Sequence, residues 1–358
     1  MDRIRVGVAG AGHWARTAHL PAIAAHPAAE LVALADPDPG NLDRSRGRYG
    51  IEACFDDPHA MLATTRMDAL VIAAPHVHHY PIAAAAIARG VHVLIEKPLV
   101  LDPGDGRRLI DAAEAAGVEI VVGYTWHYNE QVLTARRWIA EGRIGSIVYV
   151  QSFFGSSPVN LYRGRPEADV YAYGAGEGFD GPLKSTYSDP YLAGGGQGQT
   201  QLTHSLALLL FMTGLDPERV AAFMDHGSAA VDVVDALTLR FRNGALGVVG
   251  STGAVVPVSH TDTLEYIIHG SAGHLHFDVM DGSLRLYAED GITDEPTLPV
   301  ADRYPMGAPA RNLVDLARGV GTNGSPVSFG QRTVEVLDAA YRSAGQDGTS
   351  VAIEGGPL

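Results

Sequence analysis

The chain has 358 residues, 46% of them hydrophobic, which at roughly 100–200 residues per domain predicts two domains with ample core. Its 26 Lys and Arg against 41 Asp and Glu leave a net charge of −15, which argues against nucleic acid or anionic lipid as partner and favours small molecules. The single cysteine, Cys54, excludes an internal disulfide framework and a Cys-cluster zinc site.

In chain order, residues 5–9 read as a buried strand, 14–25 as a helix blemished at Pro21, 31–35 as a second strand and 41–49 as a polar helix. A strand at 69–74, a helix at 81–89 before Gly90, a strand at 91–95, a helix at 105–116 before Gly117 and a strand at 119–123 continue the alternation. Strands and helices alternating at this spacing predict a doubly wound α/β unit with a parallel sheet. The N-terminal apolar run is short and broken by glycine, so it does not read as a secretory leader. The apolar segment 202–212 is too short to cross a bilayer and carries His204. No membrane association and a cytoplasmic location are the expectation.

Beyond Tyr124 the pattern changes. A helix at 130–141 and a long β-rich run at 146–154 precede an irregular segment, 156–196, rich in Gly, Pro and Tyr (Tyr162, Tyr171, Tyr173, Tyr187, Tyr191). Such a segment is expected to shape a pocket or form an intersubunit arm, with Arg163, Arg165 and Lys184 available for contacts. A helix at 201–212 stops at Gly214. Strands at 236–241 and 245–250 flank the hairpin signal Asn243-Gly244, and strands at 264–269, 274–277 and 283–287 follow. Helices at 310–317 and 331–343 close the chain. The expected division is an α/β domain over residues 1–123 and an α+β domain over 124–358, built on a largely antiparallel sheet.

Gly10-Ala11-Gly12-His13-Trp14-Ala15 follows the first strand and opens a helix, matching the G-x-G-x-x-G/A dinucleotide fingerprint. Gly10 permits the tight turn, Gly12 the close approach of a pyrophosphate, and Ala15 close helix–strand packing; the helix start turns N–H groups toward the phosphates. Asp36 ends the second strand 24 residues after Gly12, near the offset of about 20 expected for the ribose-binding acid. A carboxylate there accepts from a 2′-hydroxyl and repels a 2′-phosphate, and the Asp36-Pro37-Asp38-Pro39 stretch has no cation, so NAD(H) is expected over NADP(H).

Three more motifs carry chemistry. Ala73-Ala74-Pro75-His76-Val77-His78-His79 and Glu96-Lys97-Pro98 each end a strand, where ligands sit in open α/β sheets, and Gly194-Gly195-Gly196 leads through Thr200 and Gln201 to His204. Lys97 is either a snorkelling surface lysine or an ammonium that holds a reacting oxygen. His204 is either a core histidine or a proton carrier. His76, His78 and His79 lack a further spaced ligand, so no metal site is expected.

With these motifs the sequence resembles the Gfo/Idh/MocA oxidoreductase family over nearly its whole length, with Gly123-Tyr124, Gly142-Arg143-Ile144-Gly145 and Tyr341-Arg342-Ser343 adding to the match. The resemblance implies an N-terminal Rossmann domain and a C-terminal open-faced sheet used for homodimer or homotetramer contacts. It implies that Lys97 is catalytic, with a cis bond before Pro98, and that His204 is the second catalytic residue. The cofactor site is expected to comprise Gly10, Gly12, His13, Trp14, Asp36, Ala74, Pro75, His76, His79, Glu96 and Lys97, with His79 also supporting the following helix and His78 facing solvent. Thr200 stands where many relatives have Asp, which leaves His204 without a neighbouring charge. Trp126 offers a flat face for a sugar ring, and His127 is a further acid–base or substrate contact; both join Thr200, Gln201 and His204 as expected substrate residues. The expected function is an NAD(H)-dependent oxidoreductase of a secondary alcohol or ketone in a sugar, polyol or glycoside. The alternatives are a hydrolase or lyase that retains NAD, and a non-catalytic dinucleotide-binding regulator.

Overall fold

A computed structural model describes residues 3–169, 180–255 and 262–356. The chain forms two compact units, one over residues 1–125 with segments around 180–186 and 306–331, the other over the remainder. The first unit's main segment thus ends at Thr125, two residues beyond the expected division at 123/124, and later segments join it. The helix Ala308–Ala317 returns to the first unit because its apolar stripe, Ala310, Leu313 and Val314, is buried in the same cluster as Val6, Val8, Leu20, Ile23 and Val71.

The first unit is built on β1 (Ile4–Ala9), β2 (Ala29–Ala35), β3 (Ala53–Phe55), β4 (Ala69–Ile72), β5 (His92–Ile95) and β6 (Ile120–Val122). All pairs are parallel, in the order β3-β2-β1-β4-β5-β6. This is the Rossmann strand order, and the direction of winding reverses between β1 and β4. The expected strand at 69–74 ends at Ile72, and the helix expected from 81 begins at His79 after a single 3₁₀ turn, His76–His78. Strand β3, which carries Cys54, and the helix Pro58–Thr64 are too short to show a period and were not expected. Pro21 has no N–H to give to the preceding turn. Upstream of it the helix widens to a π turn over Ala15–His19 before Leu20–Ala24.

The second unit carries β7 (Ile147–Gly155), β8 (Pro217–Asp225), β9 (Val234–Phe241), β10 (Leu246–Thr252), β11 (Thr263–Gly270), β12 (Gly273–Asp278), β13 (Ser283–Ala288), β14 (Gly291–Asp294) and β15 (Val351–Ala352). Their order is β14-β13-β12-β11-β7-β10-β9-β8-β15, antiparallel throughout except β7 with β10. Burial alternates strictly along β9, as expected of a sheet with one face packed. The packed face receives the helix Thr203–Thr213, buried from Thr203 to Met212. The other face exposes Phe153, Leu246 and Val248. Among the described residues, no helix is long and apolar enough to cross a membrane.

Candidate active site

In the first unit the motifs meet where the strand order reverses. Gly10 has φ +91°, and a β-carbon there would collide with the Ala73 carbonyl at the end of β4. Gly12 differs: a β-carbon there meets nothing within 4 Å, so the backbone faces open space. A bare backbone beside open space at a helix start fits a dinucleotide pyrophosphate. Ala15 is buried, as close helix–strand packing requires.

Asp36 closes this loop from β2. Its Oδ2 accepts the Ala11 N–H at 2.8 Å, its Oδ1 accepts the Asp38 N–H at 2.9 Å, and Asn41 Nδ2 lies 3.2 Å from both oxygens. Sequence reasoning missed Asn41 and the two cations it collects. Arg16 and Arg44 donate to Asn41 Oδ1 at 2.9 and 2.7 Å, and Arg16 also pairs with Asp180. The lack of cations in the Asp36–Pro39 stretch therefore does not describe the folded site, because Arg16 arrives from the first helix. His13 Nδ1 stands 3.5 Å from Asp180.

Glu96 faces inward. Its Oε1 accepts from Trp14 Nε1 at 2.8 Å and lies 2.8 Å from His19 Nε2, while its Oε2 accepts the Lys97 N–H at 3.2 Å. Burial alone would raise its carboxyl, but the His19 bond and charge, the Lys97 charge and the Trp14 donor bring its pKa below the usual range. Trp14 is thus committed to the protein through its indole nitrogen. Gly123 leaves room for this carboxylate, since a β-carbon there would stand 2.7 Å from it. His19 was missed; a histidine inside an apolar helical stretch was the available signal.

Lys97 is half-buried at the end of β5, and the Lys97–Pro98 peptide is cis. Desolvation lowers the pKa of its amine and Glu96 partly restores it. His79 is fully buried, with its ring nitrogens 2.8 Å from the Pro98 carbonyl and 3.0 Å from the Ala74 carbonyl. It pins the two strand-end loops together through both ring nitrogens. Burial lowers its pKa. Pro75 is half-buried, His76 is buried edge-on to His79, and His78 is exposed. No group of three or more His, Cys, Asp or Glu among the described residues is arranged to hold a metal.

The second unit gathers the other expected residues. Trp126 is 7% exposed and meets Tyr304, His204 and Phe154 edge to face, with centroids 4.7, 5.1 and 5.9 Å away. These three rings pack around the indole. His127 stacks on Phe211 at 4.1 Å. Burial, with the nearby Arg136 charge, takes its pKa down to about 3 despite a backbone bond at Ala207, so it is neutral at physiological pH. It packs here as a buried residue against Phe211. Thr200 donates to the Gly196 carbonyl at 2.8 Å and contacts the Tyr162 hydroxyl; Gln201 is half-buried and His204 buried. Tyr162, from the irregular segment, also donates to Gln197 Oε1 at 2.8 Å. Tyr191 is exposed, while Tyr171 and Tyr173 lie outside the described residues.

Residues 4–124 match a family model described as an oxidoreductase family with an NAD-binding Rossmann fold, and residues 132–276 match the GFO/IDH/MocA C-terminal domain. The chain is 24% identical to a D-apiose dehydrogenase of Paraburkholderia graminis, covering 99% of this chain and 91% of that protein. It is 36% identical to inositol 2-dehydrogenase 4 of Saccharopolyspora erythraea over 40% of this chain and 42% of that protein. The crystal structure of GenD2 from gentamicin A biosynthesis in complex with NAD superposes with a TM-score of 0.80 at 25% identity, covering 99% of this chain and 97% of that one. A Rossmann sheet with a glycine loop at its winding reversal, followed by an open antiparallel sheet and matched by both family models, makes this chain a member of the Gfo/Idh/MocA oxidoreductases.

Proposed function

We propose that the protein is an NAD(H)-dependent dehydrogenase or reductase acting on a secondary alcohol or ketone of a sugar, polyol or glycoside, with Lys97 and His204 as its acid–base groups. The observation that carries the reading is Lys97, an amine at a strand end of the Rossmann sheet whose pKa is lowered by burial beside an ionised Glu96. The names of the D-apiose and inositol dehydrogenases support the substrate class. When bound, the nicotinamide supplies the carbon that takes or gives hydride. The Lys97 ammonium donates to the reacting oxygen, steadies its developing charge and exchanges a proton with it. Desolvation lowers the amine's pKa, which eases its loss of a proton in that exchange. His204, held edge-on by Trp126, is the second proton carrier.

We assign cofactor binding to the first unit, and substrate and subunit contacts to the second. Asp36 supports NADH over NADPH. A ribose hydroxyl would take the place of the long Asn41 contacts at 3.2 Å, whereas a 2′-phosphate would meet the carboxylate. Tighter binding of NADPH in a direct titration would refute this preference, with Arg16 and Arg44 the residues responsible. The exposed Phe153, Leu246 and Val248 support a homodimer or homotetramer formed through the open sheet face. A cytoplasmic location, with its supply of NAD(H), completes the reading. The decisive experiment supplies NAD with inositols, aldoses and glycosides, and NADH with the corresponding ketones, following the reduced-nicotinamide absorbance. Turnover lost in Lys97→Met is expected; no change with any substrate in either direction refutes the reading.

A further inference from the structure

Beneath the Gly194-Gly195-Gly196 turn lie two carboxyl groups that the proposed reaction does not use. Asp232 is 1% exposed. Its Oδ1 accepts the Gly196 N–H and the Tyr341 hydroxyl, both at 2.8 Å, and its Oδ2 accepts the Gly198 N–H at 2.7 Å. The glycines are there to admit this brace. A β-carbon at Gly195 or Gly198 would run into the Tyr341 hydroxyl, and one at Gly196 into the Asp232 carbonyl. Asp235, on β9 opposite Ser251 of β10, is 2% exposed, and neither of its carboxyl oxygens has a donor. A buried carboxylate without donors or a cation is costly enough that it takes a proton instead.

We infer that Asp232 and Asp235 share one proton, carried on Asp235 and donated to Asp232, and that this pair positions the turn leading to Thr200 and His204. A carboxylate offers about four lone-pair positions, and three of those on Asp232 are filled by protein donors. The fourth is open to an Asp235 O–H. The assignment is asymmetric for a physical reason: Asp232 has three donors to stabilise its charge and Asp235 has none. Burial and then the Asp232 charge push the Asp235 carboxyl well above the usual range. Among the described residues, the other titratable groups acting on the pair are Tyr341 from the helix Val327–Ala344 and Tyr162 from the helix Val159–Tyr162, both raised by burial and so neutral. Tyr187 acts on Tyr162, and Ser251 faces from β10. Among the described residues no cation acts on Asp235. Loss of the shared proton would set two anions against each other under the turn and release its Gly196 and Gly198 anchors.

A carboxyl whose folded pKa is raised contributes stability at low pH that is lost as pH rises through the folded value. The test uses the purified full chain. Infrared difference spectra between wild type and Asp235→Asn at neutral pH should show one protonated-carboxyl stretch removed by the substitution. The wild-type melting temperature should fall on the alkaline side, while Asp235→Asn, whose amide donates permanently, should not fall there. Absence of that stretch, or identical pH profiles, overturns the inference. So does a melting temperature that rises with sodium, potassium, magnesium or calcium chloride in wild type but not in Asp235→Asn, since the pair would then hold a cation.

The positioning role rests on the oxidoreductase reading, whereas the proton does not. Asp232→Asn sets an amide N–H against the Gly198 N–H, and a misplacement of about 1 Å should cost kcat on the order of 100-fold with NADH affinity within about twofold. An unchanged kcat overturns the positioning role. If the infrared and melting results hold while no substrate turns over, it is the oxidoreductase reading that fails.

Discussion

Glu96 gives the sharpest quantitative test of the first unit. Replacing it with Ala strips a buried acceptor from Trp14 Nε1 and from His19, which is only 1% exposed, and removes the charge beside Lys97. Each buried donor left unsatisfied costs about 1–3 kcal/mol, and breaking a buried ion pair from one side costs about 3–5 kcal/mol, so a loss of about 3–5 kcal/mol is expected. At about 2–4 °C per kcal/mol for a unit of this size, the melting temperature should drop by about 6–20 °C. Glu96→Gln separates the contributions. Both side-chain donors converge on Oε1, which Gln retains, while its amide nitrogen replaces the oxygen that accepts the Lys97 N–H. Gln should therefore cost less than Ala. Because the folded Glu96 pKa is lowered, its contribution is present above the unfolded value and lost as pH falls through the folded one. Below that window wild type and Glu96→Gln should converge in stability. Urea denaturation of the three proteins between pH 3 and 7 reads all of this, and a loss below about 1 kcal/mol for Ala at pH 7 would refute the reasoning.

The two glycines of the fingerprint should behave differently. Gly10→Ala, strained at φ +91° and driven into Ala73, should cost about 2–4 kcal/mol in a denaturation assay. Gly12→Ala, facing open space, should leave the melting temperature within about 2 °C while weakening NADH at least about tenfold by calorimetry. Lys97→Met should lower kcat by about 10²–10⁴-fold with NADH affinity within a few fold, and a merely structural lysine would not give that split. His127→Phe keeps the stack on Phe211 and should leave the pH–rate profile unmoved, with a stability change under about 1.5 kcal/mol. Val248→Glu on the open sheet face should lower the oligomeric mass measured by light scattering; an unchanged mass would place the subunit contact elsewhere.

Much of this molecule is legible from local chemistry. The Gly10–Gly12 loop, Asp36 at a strand end, Glu96-Lys97-Pro98 and the Asn243-Gly244 hairpin each declare themselves within a few residues, because turns, strand ends and caps are set by nearest neighbours. The parallel sheet follows from the period of alternation, and the family match from the motifs taken together. Which side chains those motifs would actually face is a different matter. Glu96 turns to His19, which stands 77 positions away, and Asp36 is shared with Asn41 and, through it, with Arg16. Trp126 and His127 read locally as candidate substrate contacts, and it is the fold that packs Phe154, Tyr304 and Phe211 against them from distant segments. The return of Ala308–Ala317 to the first core and the buried meeting of Asp232 with Tyr341 and the triple-glycine turn depend on packing between segments far apart in the chain. Sequence by itself determined the loop chemistry and the periodicity, since both are short-range. Only the tertiary structure decided burial, and burial decides which carboxyl groups, amines and imidazoles carry charge.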